Sequence, residues 1–186
     1  MAENDVPDAP VAIVWQGKYI TAKTQGRWEY VSRARGIRAA VIIAVDDNAH
    51  ILLVEQYRVP LGRPCIELPA GLVGDHEGEE NEDTADAANR ELIEETGYSA
   101  GRMEVLGEFW SSPGMVSESF TLLRAHAITK VGPGGGTEGE NITVHRVALA
   151  ELPAFLSARR ALGDAIDVKL LTLLGPIFLA DLPLGV

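Results

Sequence analysis

Apolar residues along this chain gather in short runs broken by turn residues, with one stretch of helical spacing among them. Residues 11–20 and 28–31 read as strands separated by a polar turn. Residues 36–45 make a stronger strand candidate, because 39–45 is a nearly continuous apolar run. Asp46-Asp47-Asn48 reads as a turn and residues 51–57 as the returning strand, so this pair is predicted to form a hairpin. Ile66-Glu67-Leu68 is a short strand that stops at Pro69. A polar, glycine-rich loop is expected over 71–81.

The spacing then predicts a helix over 84–96, with Asp83 as N-cap, Asp86 three residues on, and Gly97 just past the end. Further strands are expected at 105–110, 120–128 and 142–148, a flexible loop at 132–139, and two closing helices at 150–161 and 165–174. Strands with helices between and after them predict an α/β or α+β sandwich, a mixed β-sheet between helices preceded by N-terminal antiparallel strands.

Composition narrows the function classes. The 186 residues suit one domain, or one domain with a small N-terminal addition. The formal net charge of -11 argues against a nucleic-acid binder, which needs a basic stripe. An acidic protein can still take a phosphorylated ligand when divalent cations bridge the two. The single cysteine, Cys65, allows neither an intrachain disulfide nor a thiolate zinc cluster, and is expected to be a buried bystander. Residues 1–10 are acidic and expected to be mobile; they carry no secretory signal pattern. The apolar stretch 170–186 is broken by Gly175, Pro176, Asp181 and Pro183, so no membrane span is expected and a cytoplasmic setting is the default.

The chemistry concentrates in Arg90-Glu91-Leu92-Ile93-Glu94-Glu95-Thr96-Gly97-Tyr98. On a helix, Glu91 and Glu95 share a face one turn apart, with Glu94 beside Glu91. Like charges so placed cost an isolated helix roughly 0.2–0.5 kcal/mol per pair, and the C-terminal end of a helix also disfavours anions. Glutamates alone could be a solvated acidic face. Their alternative use is as hard oxygen ligands for Mg²⁺ or Mn²⁺.

The flanking pattern decides between these. The segment resembles the Nudix hydrolase box, Gly-x5-Glu-x7-Arg-Glu-U-x-Glu-Glu-x-Gly-U, with U a bulky aliphatic residue; its second half is matched from Arg90 through Gly97, and Tyr98 takes the last position. Glu82 stands eight residues before Arg90, where the first glutamate belongs. His76 occupies the glycine position, and Gly71, in Leu68-Pro69-Ala70-Gly71, looks like the box glycine with an insertion before the helix. That insertion leaves Glu82 and Glu79 both open as the early glutamate, with Glu82 favoured by spacing. The resemblance implies metal ligation by Glu91, Glu95 and the Ala70 carbonyl, with Glu94 a further ligand or a group behind the ligands. It implies for Arg90 the task of neutralising and orienting the glutamates.

Three segments resemble the ADP-ribose pyrophosphatase branch: Glu55-Gln56-Tyr57-Arg58 with Ile66 to Gly71, then Ser112-Pro113-Gly114-Met115-Val116-Ser117-Glu118, then Glu138-Gly139-Glu140-Asn141. That likeness implies Glu140 as a metal ligand, Glu138 as general base, and a mobile loop that closes over substrate. It implies substrate contacts at Trp28, Glu29, Arg33, Arg58, Leu72, Ser112, Gly114 and Glu118. Arg58 suits a diphosphate; Trp28 could stack on a purine or pack at an interface. Trp110 is expected in the core and His145 to be structural. The activity implied is Mg²⁺-dependent cleavage of a nucleoside-diphosphate sugar, ADP-ribose to AMP and ribose 5-phosphate. GDP-mannose, ADP-glucose and a non-catalytic binding module stay open. A homodimer is implied, with residues 1–35 as N-terminal strands and 36–186 as the hydrolase domain.

Overall fold

The fold is described from a computed structural model, for residues 9–34, 38–74, 82–137, 139–171 and 173. It opens with an antiparallel meander of β1 (Val11–Gln16), β2 (Ile20–Gln25) and β3 (Trp28–Arg33). The single strand expected over 11–20 is therefore two. Gly17 divides them: its N–H donates to the Ile20 carbonyl at 2.9 Å, and a Cβ there would run into the Trp15 ring.

Next in the chain come β4 (Arg38–Ala44), β5 (His50–Arg58), β6 (Arg63–Glu67) and β7 (Ala70–Val73). Helix α1 (Thr84–Thr96) leads to β8 (Tyr98–Ser99), β9 (Arg102–Trp110), β10 (Ser119–His126) and β11 (Thr129–Lys130). The described chain closes with β12 (Thr143–Ala148), α2 (Leu152–Ala161) and β13 (Ala165–Ile166). Two mixed four-stranded sheets result, ordered β7-β4-β10-β9 and β12-β5-β6-β13, and β8 pairs with β11.

The apolar run at β4 is explained by burial on both faces. Ala40, Ile42 and Ala44 pack with Ala87, Ala88 and Leu92 of α1. The intervening Val41 packs with Ile51, Leu53, Ile66 and Leu68, and with Leu152 and Leu156 of α2. Neighbouring strands split the same way, Leu123 toward α1 and Leu122 toward α2. The strand period of two thus sorts one sequence run into two cores, with a helix over each.

Four expectations are corrected. The predicted β4–β5 hairpin does not form: beyond one bridge, Val45 to Ile51, the strands part into different sheets. Both edges of β4 are taken by β7 and β10, and both edges of β5 by β12 and β6. The start of the loop expected over 71–81 is strand β7, paired with Arg38 to Val41; residues 75–81 lie outside the described residues. In place of a helix over 165–174, Ala165 and Ile166 add to Cys65 and Ile66 as a parallel pair. A 3₁₀ turn, Val168–Leu170, follows, capped by the Asp167 carboxylate accepting from the Lys169 N–H at 2.7 Å. Trp110 is 55% exposed rather than in the core, because β9 is an edge strand. Among the described residues no helix is long and apolar enough to cross a membrane.

Candidate active site

Helix α1 forms where its local chemistry calls for it. Asp83 caps it, accepting from the Ala85 N–H at 2.8 Å, and Gly97 closes it in a left-handed conformation at φ 74. Ala87, Ala88 and Leu92 turn one face into the core. The helical period then brings Glu91 and Glu95 to the lip of a cavity of about 380 Å³, which Ala70, Gly71, Leu72 and Glu140 also line.

Glu95 is only 7% exposed. Burial, with added repulsion from Glu91 and Glu140, pushes its carboxyl up to about 8; the Ala70 N–H, donating to Oε2 at 3.0 Å, and the charge of Arg58 offset this only partly. Glu91 comes so close to β7 that a Cβ on Gly71 would lie 2.0 Å from its Cδ. Position 71 therefore has to be glycine for the helix to seat, which matches its assignment as the box glycine.

Arg90 lies among three glutamates. It reaches Glu91 Oε1 at 2.8 Å, Glu82 Oε2 at 3.3 Å and Glu94 Oε1 at 3.7 Å. Burial works against its charge, but the hydrogen bonds and charges of Glu82 and Glu91 outweigh this and raise its pKa. Glu94 itself does not line the cavity. Of the two candidates for the early glutamate, Glu82 is tied to Arg90; Glu79, His76 and the predicted base Glu138 lie outside the described residues.

The opposite wall is cationic. Arg58 sits at the end of β5 and forks onto buried Glu67, Nε to Oε1 at 2.6 Å and Nη2 to Oε2 at 2.8 Å. The hydrogen bonds from Glu67 raise its pKa further. Two of its five N–H donors are thereby engaged, so a phosphate contact has to use the others. Arg33 pairs with Glu118, Nε to Oε1 at 2.5 Å, and both line the cavity.

Other predicted contacts are not gathered here. Trp28 is 49% exposed on β3, outside the cavity, and Glu29 lines a separate groove with Val14, Tyr30 and Met115. Ser112 and Gly114 belong to the turn before β10; the Ser112 carbonyl accepts from Met115 and Val116, and neighbouring Ser111 faces the cavity instead. This turn also docks the N-terminal sheet, since Val31 exchanges hydrogen bonds with Met115 and Ser117 at 3.0 Å. His145 holds Glu55 at 2.8 Å, away from the cavity. Sequence reasoning missed Lys169, Phe120 and Ser111 in the lining and Glu67 behind Arg58. Lys169 enters from the closing 3₁₀ turn, where it pairs with Asp167 at 2.6 Å. Only the Glu67 to Gly71 run carried a local signal.

The glycine-rich loop is not a free flexible segment over its described part. Gly135 and Gly136 donate to the Glu95 and Glu94 carbonyls at 2.8 and 3.0 Å. Glu140 is exposed yet oriented, accepting from the Thr137 N–H at 2.7 Å and Oγ1 at 3.0 Å. Among the described residues no three carboxylates stand close enough to form a finished metal cage. The donors that converge, Glu91, Glu95, Glu140 and backbone oxygen, are hard, and the buried charge at Glu95 is undercompensated; both features fit Mg²⁺ or Mn²⁺.

The NUDIX domain model matches residues 35–167. The chain belongs to the Nudix hydrolase family. It is 39% identical over 129 residues to the ADP-ribose pyrophosphatase of Mycobacterium tuberculosis, covering 69% of this chain and 58% of that one. It is 34% identical over 125 residues to the GDP-mannose pyrophosphatase of Cronobacter sakazakii, covering 63% and 62%. This Nudix chain thus spans less than two thirds of either relative's length. Its fold resembles the crystal structure of an ADP compounds hydrolase, with a TM-score of 0.67 at 23% identity over 92% of each chain.

Proposed function

We propose that this protein hydrolyses the diphosphate bond of a nucleoside-diphosphate sugar, ADP-ribose first among them, with Mg²⁺ or Mn²⁺ as cofactor. The observation that carries the reading is the facing of two walls, Glu91, Glu95 and Glu140 against Arg33 and Arg58. A diphosphate bridged to carboxylates by cations, and met by arginines from the other side, satisfies both walls.

Glu91, Glu95, Glu140 and the Ala70 carbonyl would hold the metal. The chemistry such an ion supplies when bound is charge neutralisation and an acidified water. Arg90 orients Glu91 through its 2.8 Å contact. Arg58, braced by Glu67, positions the diphosphate, and Arg33 with Glu118 holds the other end of the substrate. Leu72 and Ser111 shape the floor. Glu138 takes the proton from the attacking water, whose oxygen bonds to one phosphorus as the bridging P–O bond breaks. From ADP-ribose the products are AMP and ribose 5-phosphate.

Residues 1–35 form the second element of this reading, a strand unit used for pairing two copies. Trp15, Trp28, Val11 and Ile13 leave a large apolar surface on that sheet, and neither Trp28 nor Glu29 reaches the cavity of its own chain. In a homodimer the partner's sheet would supply the base contact. Sedimentation that finds a fully active monomer overturns this.

GDP-mannose is the second reading, favoured by the Cronobacter relative. Ranking a panel of nucleotide sugars by kcat/KM, with products followed by phosphate release in a coupled phosphatase assay, separates the two. Absence of hydrolysis for every member leaves a binding module and defeats the enzymatic reading.

A further inference from the structure

The carboxylate helix poses a problem that its own residues do not solve. The last carbonyls of an α-helix lack partners within it, and its C-terminal end is partially negative. Helix α1 ends on Glu94 and Glu95 with no basic residue in its last turn.

The answer comes from residues 130–136. The Glu94 carbonyl accepts from Gly136 N–H at 3.0 Å, and that of Glu95 from Gly135 N–H at 2.8 Å. The Thr96 carbonyl accepts from the Lys130 ammonium at 2.9 Å. The Gly97 carbonyl accepts from Val131 and Gly132 at 2.8 and 3.0 Å. Four consecutive carbonyls are thus closed by one segment. Lys130 also reaches the Pro133 carbonyl at 3.3 Å and lies 4.7 Å from the centre of the Tyr98 ring, so the strap's single cation is packed against the helix end.

The strap continues to Glu140. The Gly135 carbonyl accepts from Ile142 N–H at 3.1 Å, and a Cβ on Gly136 would lie 2.6 Å from Glu140 Oε2. Gly134 has φ +72, and a Cβ there would lie 2.4 Å from the Thr96 carbonyl carbon. This contact tolerates only glycine.

We propose that Lys130 and the Gly134–Gly136 strap are a positioning device that sets the register between Glu140 and the Glu91–Glu95 face, and so sets metal affinity. The inference rests on the reading of those carboxylates as metal ligands. Lys130 touches no substrate; it holds the last helical turn, and its positive charge opposes the negative helix end. Groups that orient ligands typically change metal affinity 10–100-fold when removed.

The test is Mn²⁺ binding to the purified full chain by titration calorimetry, with melting temperature measured with and without Mn²⁺. K130M should bind Mn²⁺ about tenfold more weakly, show a smaller Mn²⁺-induced rise in melting temperature, and keep its KM for ADP-ribose at saturating metal. K130R, which keeps the charge and the donor, should bind close to wild type. G134A should weaken binding in the same direction. Unchanged Mn²⁺ affinity in K130M, or K130R losing as much as K130M, overturns the proposal. A K130M that is less stable by the same amount with and without Mn²⁺ overturns it too, as a merely structural lysine. Wild-type protein that binds Mn²⁺ no better than E95Q defeats the metal reading itself, a result distinct from these.

Discussion

The two walls of the cavity handle charge in opposite ways. On the cationic side each side chain has its own carboxylate: Arg33 has Glu118, Arg58 has Glu67, Lys169 has Asp167. On the acidic side Glu95 is buried beside Glu91 and Glu140, and burial with their repulsion pushes its carboxyl up to about 8. Arg90 engages Glu91 from behind the wall but does not line the cavity. One wall is settled before anything binds; the other is left in want of positive charge. A site with this asymmetry recruits cations on one side and presents prearranged donors on the other.

Removing the unsettled charge should have the largest effect. E95Q is expected to lower kcat/KM for ADP-ribose more than about a hundredfold at saturating Mg²⁺, since several kcal/mol of charge stabilisation is lost. The same change should leave the metal-free protein as stable as wild type or more so. Near wild-type hydrolysis by E95Q would falsify the metal assignment. E138Q should likewise lower kcat about 100-fold or more while Mn²⁺ still binds; an unchanged kcat removes Glu138 as base.

The settled wall should respond differently. E67Q leaves the Arg58 guanidinium without its ionic partner and is expected to cost about 1–3 kcal/mol of folding stability, read by urea unfolding. Its Mn²⁺ affinity should stay near wild type, and a large loss would erase the distinction between the walls.

The pH dependence follows from Glu95. Its folded carboxyl keeps its proton up to about 8, whereas the unfolded chain loses it near 4.5. Between these values the folded state binds more protons, so metal-free stability falls as pH rises, by at most about 1.4 kcal/mol per pH unit. Mg²⁺ should therefore raise the melting temperature more at pH 8 than at pH 6, and the reverse order contradicts the burial argument. The smallest effect is expected at Cys65, outside both walls. Burial, then the charge of Glu67, pushes its thiol up to about 12, so native protein at pH 8 should react with a thiol reagent far more slowly than urea-unfolded protein.

What was legible in the sequence was what is local. The bounds and caps of α1, the shared face of Glu91 and Glu95, and the family followed from spacing within one segment. Gly71 could be nominated from the box, but its reason, the approach of Glu91, is tertiary. The β4–β5 hairpin was misread because an apolar run buried on both faces carries no information about which edges pair. Lys169 was invisible for a related reason: residues 165–170 have helix-like composition, and only pairing with β6 turns them into a strand and a turn at the cavity. Trp28 and Glu29 were nominated by likeness, and a single chain keeps them apart from the rest.

The bed on which α1 rests is made largely of alanines: Ala40, Ala44 and Ala125 from the strands, Ala87 and Ala88 from the helix. Small side chains let the helix lie close to the sheet and leave no slack for larger ones. The other face of the same strands is filled by Val41, Leu53, Ile66, Leu122 and Leu156. For an engineer the two faces are different materials. The leucine and isoleucine face offers room to trade volume for thermal tolerance, while each methyl group added to the alanine face would lift the glutamates away from their strap.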